Sequence, residues 1–321
     1  MPFWKRSSPE EEQQRIQAQQ EMEASLRSLE AGGLPIQAQR RLSEETEAGH
    51  KLFSSDLSTK EFALTLDTGY QPLSQVMGSS IYHVGWQYTL SYPRVTASYE
   101  LTTVTNAHMH AAQLALGRLE QEAALLKAHG VIGVRFSLRN YEWGSDLVEY
   151  TAIGTAIRLP NAPLFPRPFL SDLSGQEFWT LLQAGYLPVG IVMGYCSYCV
   201  SSGWVLNQVL RSWNNLEVVD YTQAIYTARH LAMSRLEAMA RSFNGVGVVG
   251  VHIGFDRREN EYERENDPTT YRDLMIHFSA IGTAITARRA DHVIPSPKPT
   301  LTFTDLRPGQ RGNVRELTIR E

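Results

Sequence analysis

The chain has 321 residues, 42% hydrophobic and 20% charged, which is typical of globular proteins, and its length predicts about two domains. A net charge of −4 gives no overall basic field, so we expect no nucleic-acid partner, and two cysteines are too few for a disulfide framework. No apolar run approaches the roughly 20 residues that span a bilayer, and the first residues lack the apolar core of a signal peptide. We therefore predict a cytoplasmic protein without a transmembrane segment.

Residues 1–55 are predicted to form a helical N-terminal arm. Ser8 suits an N-cap, Pro9 suits the first helical position, and Glu11 is placed to close a capping box. The helix rich in glutamine and glutamate should end near Gly32, and a second short helix should follow. Because the apolar stripe of the first helix is too thin to make a core by itself, we expect this helix either to be solvated or to pack on a neighbouring subunit.

Two long segments, residues 56–160 and 172–290, repeat one another. Their opening stretches share Asp-Leu-Ser, a Gly-Tyr-x-Pro turn and Val-Met-Gly at an offset of 116 positions. The match resumes at Arg-Leu-Glu, at Val-x-Gly-Val and at the closing Ile-Gly-Thr-Ala-Ile. Such ordered recurrence indicates a tandem duplication, so we predict two copies of one fold related by approximate rotational symmetry.

Each copy has the same predicted order of elements. Extended segments rich in β-branched and aromatic residues follow the Gly-Tyr-x-Pro turn. A long helix, near residues 105–129 in the first copy and 222–244 in the second, should end in left-handed caps at Gly130 and Gly245. A strand, a hairpin and a last strand complete a β-α-β-β unit. The fold class is therefore α+β, with extra extended segments ahead of each unit.

Three further segments are expected to lie outside the two cores. Residues 161–171 contain three prolines and form a predicted linker, and residues 291–321 form a predicted C-terminal tail, mobile or available for docking. Residues 256–273 lengthen the hairpin of the second copy with many charged side chains, which should be solvated.

The duplicated motifs resemble the YbjQ-like family, whose members carry a heavy-metal-binding label. The residues that carry this resemblance are Gly78, Arg118-Leu119, the segment 130–134 and Gly154-Thr155-Ala156, and, in the second copy, Gly194, Arg235-Leu236, the segment 247–251 and Gly282-Thr283-Ala284. The likeness covers residues 62–158 and 178–286. It implies a small α+β domain like a dodecin subunit, which assembles into pentameric rings with short strands at the subunit contacts. The chain departs from the family pattern by fusing two copies.

Cys196 and Cys199 have the one metal-like spacing in the sequence. Two thiolates could share a divalent ion, but a closed tetrahedral site needs two more ligands. The segment is also a predicted strand, on which positions three apart face opposite sides. The two cysteines are therefore candidate metal ligands, and the alternative, which the pattern favours, is a structural role. No other cofactor is expected.

The remaining motifs do not support catalysis or nucleotide binding. The histidines considered as ligands are His83, His108, His110, His230, His252 and His277, of which the last two could be cross-strand neighbours at the hairpin base. The Gly-x-Gly-x-x-Gly pattern at Gly245 follows a helix and enters a strand, the reverse of the order that binds a pyrophosphate. No nucleophile-elbow, Walker A or zinc-protease motif is present, so we do not predict an enzyme.

The sequence thus predicts a homo-oligomeric structural or scaffold protein that forms a ring, pentameric on the pattern of the family. We expect self-assembly because a single β-α-β-β layer leaves sheet edges that another copy can cover. The alternative is a metal-ion or small-ligand binding module with sites at repeat or subunit interfaces. A third possibility, an enzyme whose site forms between subunits, has no residues to support it. The arm and the tail are candidate contacts for another protein.

Overall fold

The structure is a computed structural model that describes residues 9–47, 54–84, 98–141, 144–201, 217–264, 267–288, 300–303 and 315–318. The predicted N-cap Ser8 lies outside the described residues. The chain divides into two units, residues 1–287 and residues 288–321. The first unit contains both repeats. In the second, strands β9 (Thr300–Phe303) and β10 (Arg315–Thr318) pair antiparallel, so part of the segment predicted as a tail is regular.

The first unit holds six described helices and eight strands. The arm and the first repeat comprise α1 (Pro9–Glu30), α2 (Ile36–Glu47), α3 (Thr59–Asp67), β1 (Gln71–His83), β2 (Tyr99–Glu100), α4 (Thr102–Leu125), β3 (Gly130–Tyr141) and β4 (Gly144–Arg158). The second repeat comprises β5 (Phe169–Leu170), α5 (Gly175–Gln183), β6 (Tyr186–Ser201), α6 (Val219–Ser242), β7 (Gly247–Arg264) and β8 (Asp267–Ala287).

The two repeats have the same topology, which confirms the predicted duplication and the α+β class. The sheet orders are β1-β4-β3-β5 and β2-β6-β8-β7, so the antiparallel core β1-β4-β3 recurs as β6-β8-β7. Register shifts interrupt the pairing at matched places, after Ile132 in β3 and after Val249 in β7. A long helix lies on each sheet, α4 on the first and α6 on the second. Each repeat is therefore one two-layer α/β unit.

Short polar motifs start the small helices of both repeats in the same way. Ser58 accepts a hydrogen bond from the backbone of Glu61, whose carboxylate accepts from Ser58 in return, and Ser174 and Glu177 form the same capping box. The hydrogen bonds from Ser58 lower the pKa of Glu61. These boxes place α3 and α5 at equivalent positions ahead of β1 and β6.

The long helices end earlier than predicted, and their caps differ from the prediction. α4 ends at Leu125, and the left-handed residue that follows is Lys127, with φ 54°. At the end of α6 this role falls to Asn244, with φ 55°. The prediction of left-handed caps at Gly130 and Gly245 was therefore wrong. Gly130 instead belongs to β3, where the ring of Phe169 occupies the space that a Cβ would need.

The second helix of the N-terminal arm contributes to the core of its own chain, whereas the apolar side chains Ile16, Met22 and Leu26 of α1 are exposed. Leu42 of α2 is fully buried among side chains of α4 and the first sheet, and Leu34 is also buried. The guanidinium group of Arg118 on α4 donates to the backbone carbonyls of Leu29 and Gly33, each at 3.1 Å. Leu34, Leu42 and the hydrogen bonds of Arg118 therefore hold the arm to α4, a helix that already has a core.

Candidate functional site at the junction of the two repeats

Three contacts join the repeats, and we call them together the repeat junction. β2, from the first repeat, pairs with the edge of β6 in the second. β5, immediately ahead of the second repeat, pairs in parallel with β3 of the first. α4 packs on the outer face of β6, opposite the face that α6 covers. The junction has a direction, because each repeat uses different elements to make it.

At the first contact, β2 extends the second sheet. The Leu101 N–H donates to the Ser197 carbonyl at 2.8 Å, beside the paired residues of β2. The guanidinium group of Arg235 on α6 lies 2.7 Å from the carboxylate of Glu100 and donates to the carbonyl of Tyr195. Because the ion pair is partly shielded from water, it ties β2 to the second repeat more firmly than an exposed pair would.

At the second contact, β5 and the Ser-Asp-Leu segment after it (residues 171–173) cover the edge of β3. The Thr283 hydroxyl of β8 donates to the Asp172 carboxylate, and the Asp172 N–H donates to Thr283 Oγ1 at 3.0 Å. Burial raises the pKa of Asp172. The equivalent Ser-Asp-Leu segment of the first repeat (residues 55–57) is held alike, since the Thr155 hydroxyl donates to the Asp56 carboxylate at 2.9 Å.

At the third contact, four rings from both repeats pack together, three of them buried and that of His277 half-buried. His108 of α4 stacks on Tyr195 of β6, with ring centroids 4.2 Å apart and an angle of 14° between the planes. The Nδ1 atom of His108 is 2.9 Å from the Tyr150 hydroxyl, and the Nδ1 atom of His277 is 2.9 Å from the Tyr195 hydroxyl. These four residues, which we call the ring cluster, link α4 and β4 of the first repeat to β6 and β8 of the second.

Burial makes the histidines of the ring cluster hard to protonate. Desolvation, with smaller contributions from His277 and Arg258, lowers the pKa of His108 to about 3. Desolvation and Arg258 also lower the pKa of His277 to about 4, against an opposing effect of Asp256. At neutral pH both imidazoles are therefore uncharged, and each accepts or donates one hydrogen bond to a tyrosine.

A cleft of about 250 Å³ opens where the two repeats meet. Leu116 of α4, Leu170 of β5, Ile191 of β6 and Phe243 line its apolar part. At its polar side the Arg167 guanidinium donates two hydrogen bonds to the Glu120 carboxylate, both at 2.7 Å. The cleft could take a small apolar group with one polar end.

The two cysteines lie on β6 and are both buried and free. Cys196 points to α6 and belongs to the core of the second repeat, whereas Cys199 lies in register with Tyr99 of β2. Burial raises the pKa of the thiols, to about 12 for Cys196 and about 11 for Cys199. Because positions three apart on a strand face opposite sides, the pair does not converge on one point.

This donor set does not fit a heavy-metal ion. Thiolates are the form that binds metal, and the raised pKa of both thiols opposes the deprotonation that metal binding requires. Across the described ranges, no three His, Cys, Asp or Glu side chains lie close enough to share an ion. The assignment of metal to Cys196 and Cys199 stays a prediction, and the geometry favours the structural alternative.

Replacing Cys196 and Cys199 with alanine should leave the metal content of the purified protein unchanged. We expect a loss of about 1–3 kcal/mol in the free energy of unfolding, because the change removes buried sulfur atoms from packed positions. Elemental analysis and denaturant unfolding of the double variant and the parent would measure both effects. Loss of a stoichiometric metal together with unfolding would contradict the structural role, since metal binding can supply folding free energy.

His252 and His277 do not face each other across the second hairpin. His252 is in register with Ile281 and His277 with Asp256, so the prediction that the two histidines could be neighbours was wrong. The bulge after Val249 sets this register and separates them along the hairpin. His110 contacts the ring of Tyr82 edge-on at 5.6 Å, while His83 and His230 lie on the surface.

Sequence reasoning missed most of the junction. The Asp-Thr pairs carried a signal, because Asp56, Asp172, Thr155 and Thr283 all belong to the repeated positions. The ring cluster carried no such signal in the sequence, since His108 aligns with Ile225 of the second repeat and so has no counterpart there.

The fold and the junction define the chain as a tandem α+β protein of two like domains. The model of the YbjQ-like family, described as "Putative heavy-metal-binding", matches residues 75–160 and 186–288. The chain therefore belongs to this family, in a duplicated form.

Two relatives show how the match extends. An encapsulin nanocompartment protein of Mycobacterium tuberculosis is 40% identical over 216 residues, which are 66% of this chain and 81% of the relative. A UPF0145 protein of Acinetobacter baylyi is 34% identical over 102 residues, 31% of this chain and 92% of the relative, so that match is about one repeat long. No solved structure matches the chain significantly. Within the described residues, no helix has the length and apolar character to cross a membrane.

Proposed function

We propose that the chain is a structural subunit that assembles with copies of itself into a closed ring of five chains. The observation that carries the proposal is the apolar surface left on the outer strands. Met77 and Ile81 of β1, and Ile253 and Phe255 of β7, are all exposed. Apolar side chains grouped on sheet surfaces mark interaction sites in folded proteins. The relative named as an encapsulin nanocompartment protein supports a structural role, which needs no catalytic step.

The mass of the purified protein tests this proposal. Light scattering or mass photometry at micromolar concentration should give a closed particle, with five times the 36.1 kDa chain mass as the expected value. Another closed order would replace the pentamer and keep the structural role. A particle of 36.1 kDa at all concentrations would overturn the proposal.

A small-ligand binding module is the second candidate, and the cleft at the repeat junction is the observation that favours it. Its apolar lining and its Glu120–Arg167 ion pair suit a small amphipathic molecule. Native mass spectrometry of the intact protein would detect such a molecule. Its loss on Leu116→Trp, which fills the cleft, would support this candidate, and a mass equal to that of the protein alone would speak against it.

We also propose that the protein is cytoplasmic, because two free, buried cysteines suit a reducing compartment.

We further propose that α1 is a contact for another protein. Ile16, Met22 and Leu26 of α1 are each more than half exposed, although α2 of the same arm is packed.

Deleting residues 1–30 should therefore leave the fold and the particle mass unchanged, whereas deleting residues 1–47 should destabilise the protein. The shorter deletion removes exposed apolar residues, but the longer one also removes buried Leu34 and Leu42. We expect the second deletion to lower the unfolding free energy by about 3 kcal/mol or more, the usual effect of losing buried leucines. Equal stability of the two truncated chains would contradict the core role of α2. Loss of assembly on the shorter deletion would assign α1 to self-association instead.

A further inference from the structure

The chain makes the repeat junction once internally, and within the described residues both halves of the same junction recur at its two ends without a partner. We infer that copies join head to tail, so that the second repeat of one chain contacts the first repeat of the next as the first contacts the second within the chain. This inference rests on the proposed self-assembly and specifies its interface. The partner is a second copy of this chain, docked along the edge of β7.

Within the chain, the edge of β3 is covered along residues 130–134. The Phe169 N–H donates to the His129 carbonyl, the Ser171 N–H donates to the Val131 carbonyl, and the Val134 N–H donates to the Ser171 carbonyl, at 2.9–3.1 Å. These bonds make β3 an inner strand of its sheet, between β4 and β5. Val134 is accordingly only 3% exposed.

The equivalent edge in the second repeat is open. β7 is the last strand of its sheet, and no described strand pairs with its outer side. Val251, which is equivalent to Val134, is 37% exposed. Ile253 is 55% exposed, whereas its equivalent, Phe136, is half-buried. An open edge with apolar side chains is a surface onto which another strand can add.

At the start of this edge, Gly247 leaves a space beside the strand, which we call the glycine socket. In the first repeat, Gly130 leaves room for the ring of Phe169, which sits where a Cβ would be. Gly247 is the equivalent glycine in β7, and a Cβ there would meet only Ile285 Cγ1, at 4.0 Å. The second repeat thus keeps the glycine but has no ring against it in the described part of the chain. The sequence supplies a matching ring, because Phe53 stands 116 positions before Phe169.

The residues that follow this phenylalanine repeat the segment that covers the edge of β3. Residues 53–57 are Phe-Ser-Ser-Asp-Leu and residues 169–173 are Phe-Leu-Ser-Asp-Leu. Phe53 lies outside the described residues, but residues 54–57 are described and have no strand partner among the described residues. Their side chains hold the first repeat as residues 171–173 hold the second. Leu57 Cδ2 lies 3.7 Å from the Cβ position of Gly133, and Leu173 Cδ2 lies 3.1 Å from that of Gly250.

In the described part of the chain, the helix contact is also without a partner at the two ends. On β6, Met193 is 4% exposed because α4 packs over it, and its equivalent on β1, Met77, is 48% exposed. On the helix side, Met109 of α4 packs into this contact. Its equivalent on α6, Tyr226, is exposed. The first repeat therefore presents an uncovered sheet face, and the second presents an uncovered helix face, as a head-to-tail contact requires.

A second copy fits this surface better than an unrelated protein, because one chain carries both halves of each contact. Each of these surfaces is equivalent to one that already makes the internal junction. They are the strand segment, the glycine of β7, the sheet face of β1 and the helix face of α6. A contact between two different surfaces repeats from copy to copy until it closes into a ring or continues as a filament. Both outcomes would have the same strand pairing.

Paired cysteine variants test the register of this contact. Val131 and Leu170 are register partners in the chain, and their equivalents are Val248 and Ser54. Neighbouring strands lie about 4.8 Å apart, close enough for a disulfide. Chains carrying Ser54→Cys and chains carrying Val248→Cys, co-expressed with different tags and oxidised, should form cross-linked pairs containing both tags. Each variant alone serves as the control and should remain uncross-linked. Disulfides between like chains would overturn the head-to-tail direction.

A charge on the open edge provides an independent test. Ile253→Lys should reduce the particle to the 36.1 kDa chain at concentrations where the parent is assembled. The matched control is Ile16→Lys on α1, a similarly exposed isoleucine outside the contact, which should keep the parent mass. Suppose that the parent and Ile253→Lys both assemble and that no mixed disulfide forms. The head-to-tail inference then fails, whereas the proposed self-assembly stands. If the parent is itself a monomer, both fail.

Discussion

Replacing Gly78 or Gly194 with alanine should be among the most damaging single changes in this protein. Gly78 lies on β1 under α4, and an added Cβ would overlap the carbonyl oxygen of Ala115. Gly194 on β6 meets Ala232 of α6 in the same way. The obstacle in both cases is helix backbone, which cannot rotate away as a side chain can. We expect each variant to lose about 3 kcal/mol or more of unfolding free energy, at the upper end for overpacked sites.

The chain offers a matched control for this prediction. Gly117 lies within α4, and a Cβ there would meet nothing within 4 Å. Gly117→Ala should therefore raise the unfolding free energy by about 0.5–1 kcal/mol, the usual gain for alanine over glycine in a helix. Denaturant unfolding at one fixed protein concentration would compare the variants, because assembly also contributes to apparent stability. Parent-like stability of Gly78→Ala and Gly194→Ala would contradict the close packing of helix on strand.

The same close packing explains why the sequence alone predicted the fold so well. A helix can approach a strand this closely only where glycine faces a row of alanines, as Ala115 does for Gly78. This requirement applies equally in both repeats, so the small residues recur at fixed offsets and reveal the topology. The order of helices and strands could therefore be predicted before any contact was known.

The contacts between repeats could not be predicted in this way. β5 has only two residues and lies in a segment rich in proline, so its strand character comes from the edge of β3 and not from its own composition. The ring cluster depends on His108 and Tyr195, neither of which recurs, because the first repeat meets its neighbour through different elements. The position of α2 likewise depends on a groove that only the folded chain provides. Repetition reveals what the two copies share, whereas the ring cluster depends on side chains that only one copy has.

The buried ring cluster predicts a marked loss of stability in mild acid. The pKa values of His108 and His277 in the folded protein are about 3 and about 4, whereas histidine in an unfolded chain has a pKa of about 6.5. As the pH falls below 6.5, the unfolded chain therefore takes up protons at these two positions and the folded protein does not. Each histidine should lower the unfolding free energy by about 2 kcal/mol between pH 7 and pH 5.

Two buried carboxyl groups act in the opposite direction. Burial raises the pKa of Asp172 and of Glu122, so the folded protein binds protons at these groups more readily than the unfolded chain does. Acid therefore relieves part of the cost of burying them, which offsets part of the histidine contribution. Only a comparison with variants isolates the histidines.

The informative quantity is the difference between the unfolding free energies at pH 7 and pH 5. His108→Gln and His277→Gln each remove one titrating group and keep a polar side chain at the cluster. The difference should shrink by about 2 kcal/mol in each variant and by about 4 kcal/mol when both are combined. The control variant His230→Gln, on the exposed face of α6, should have the same difference between pH 7 and pH 5 as the parent. If the double variant keeps the parent's difference, the two imidazoles are not buried and neutral, and the His108–Tyr195 stack does not join the repeats in solution.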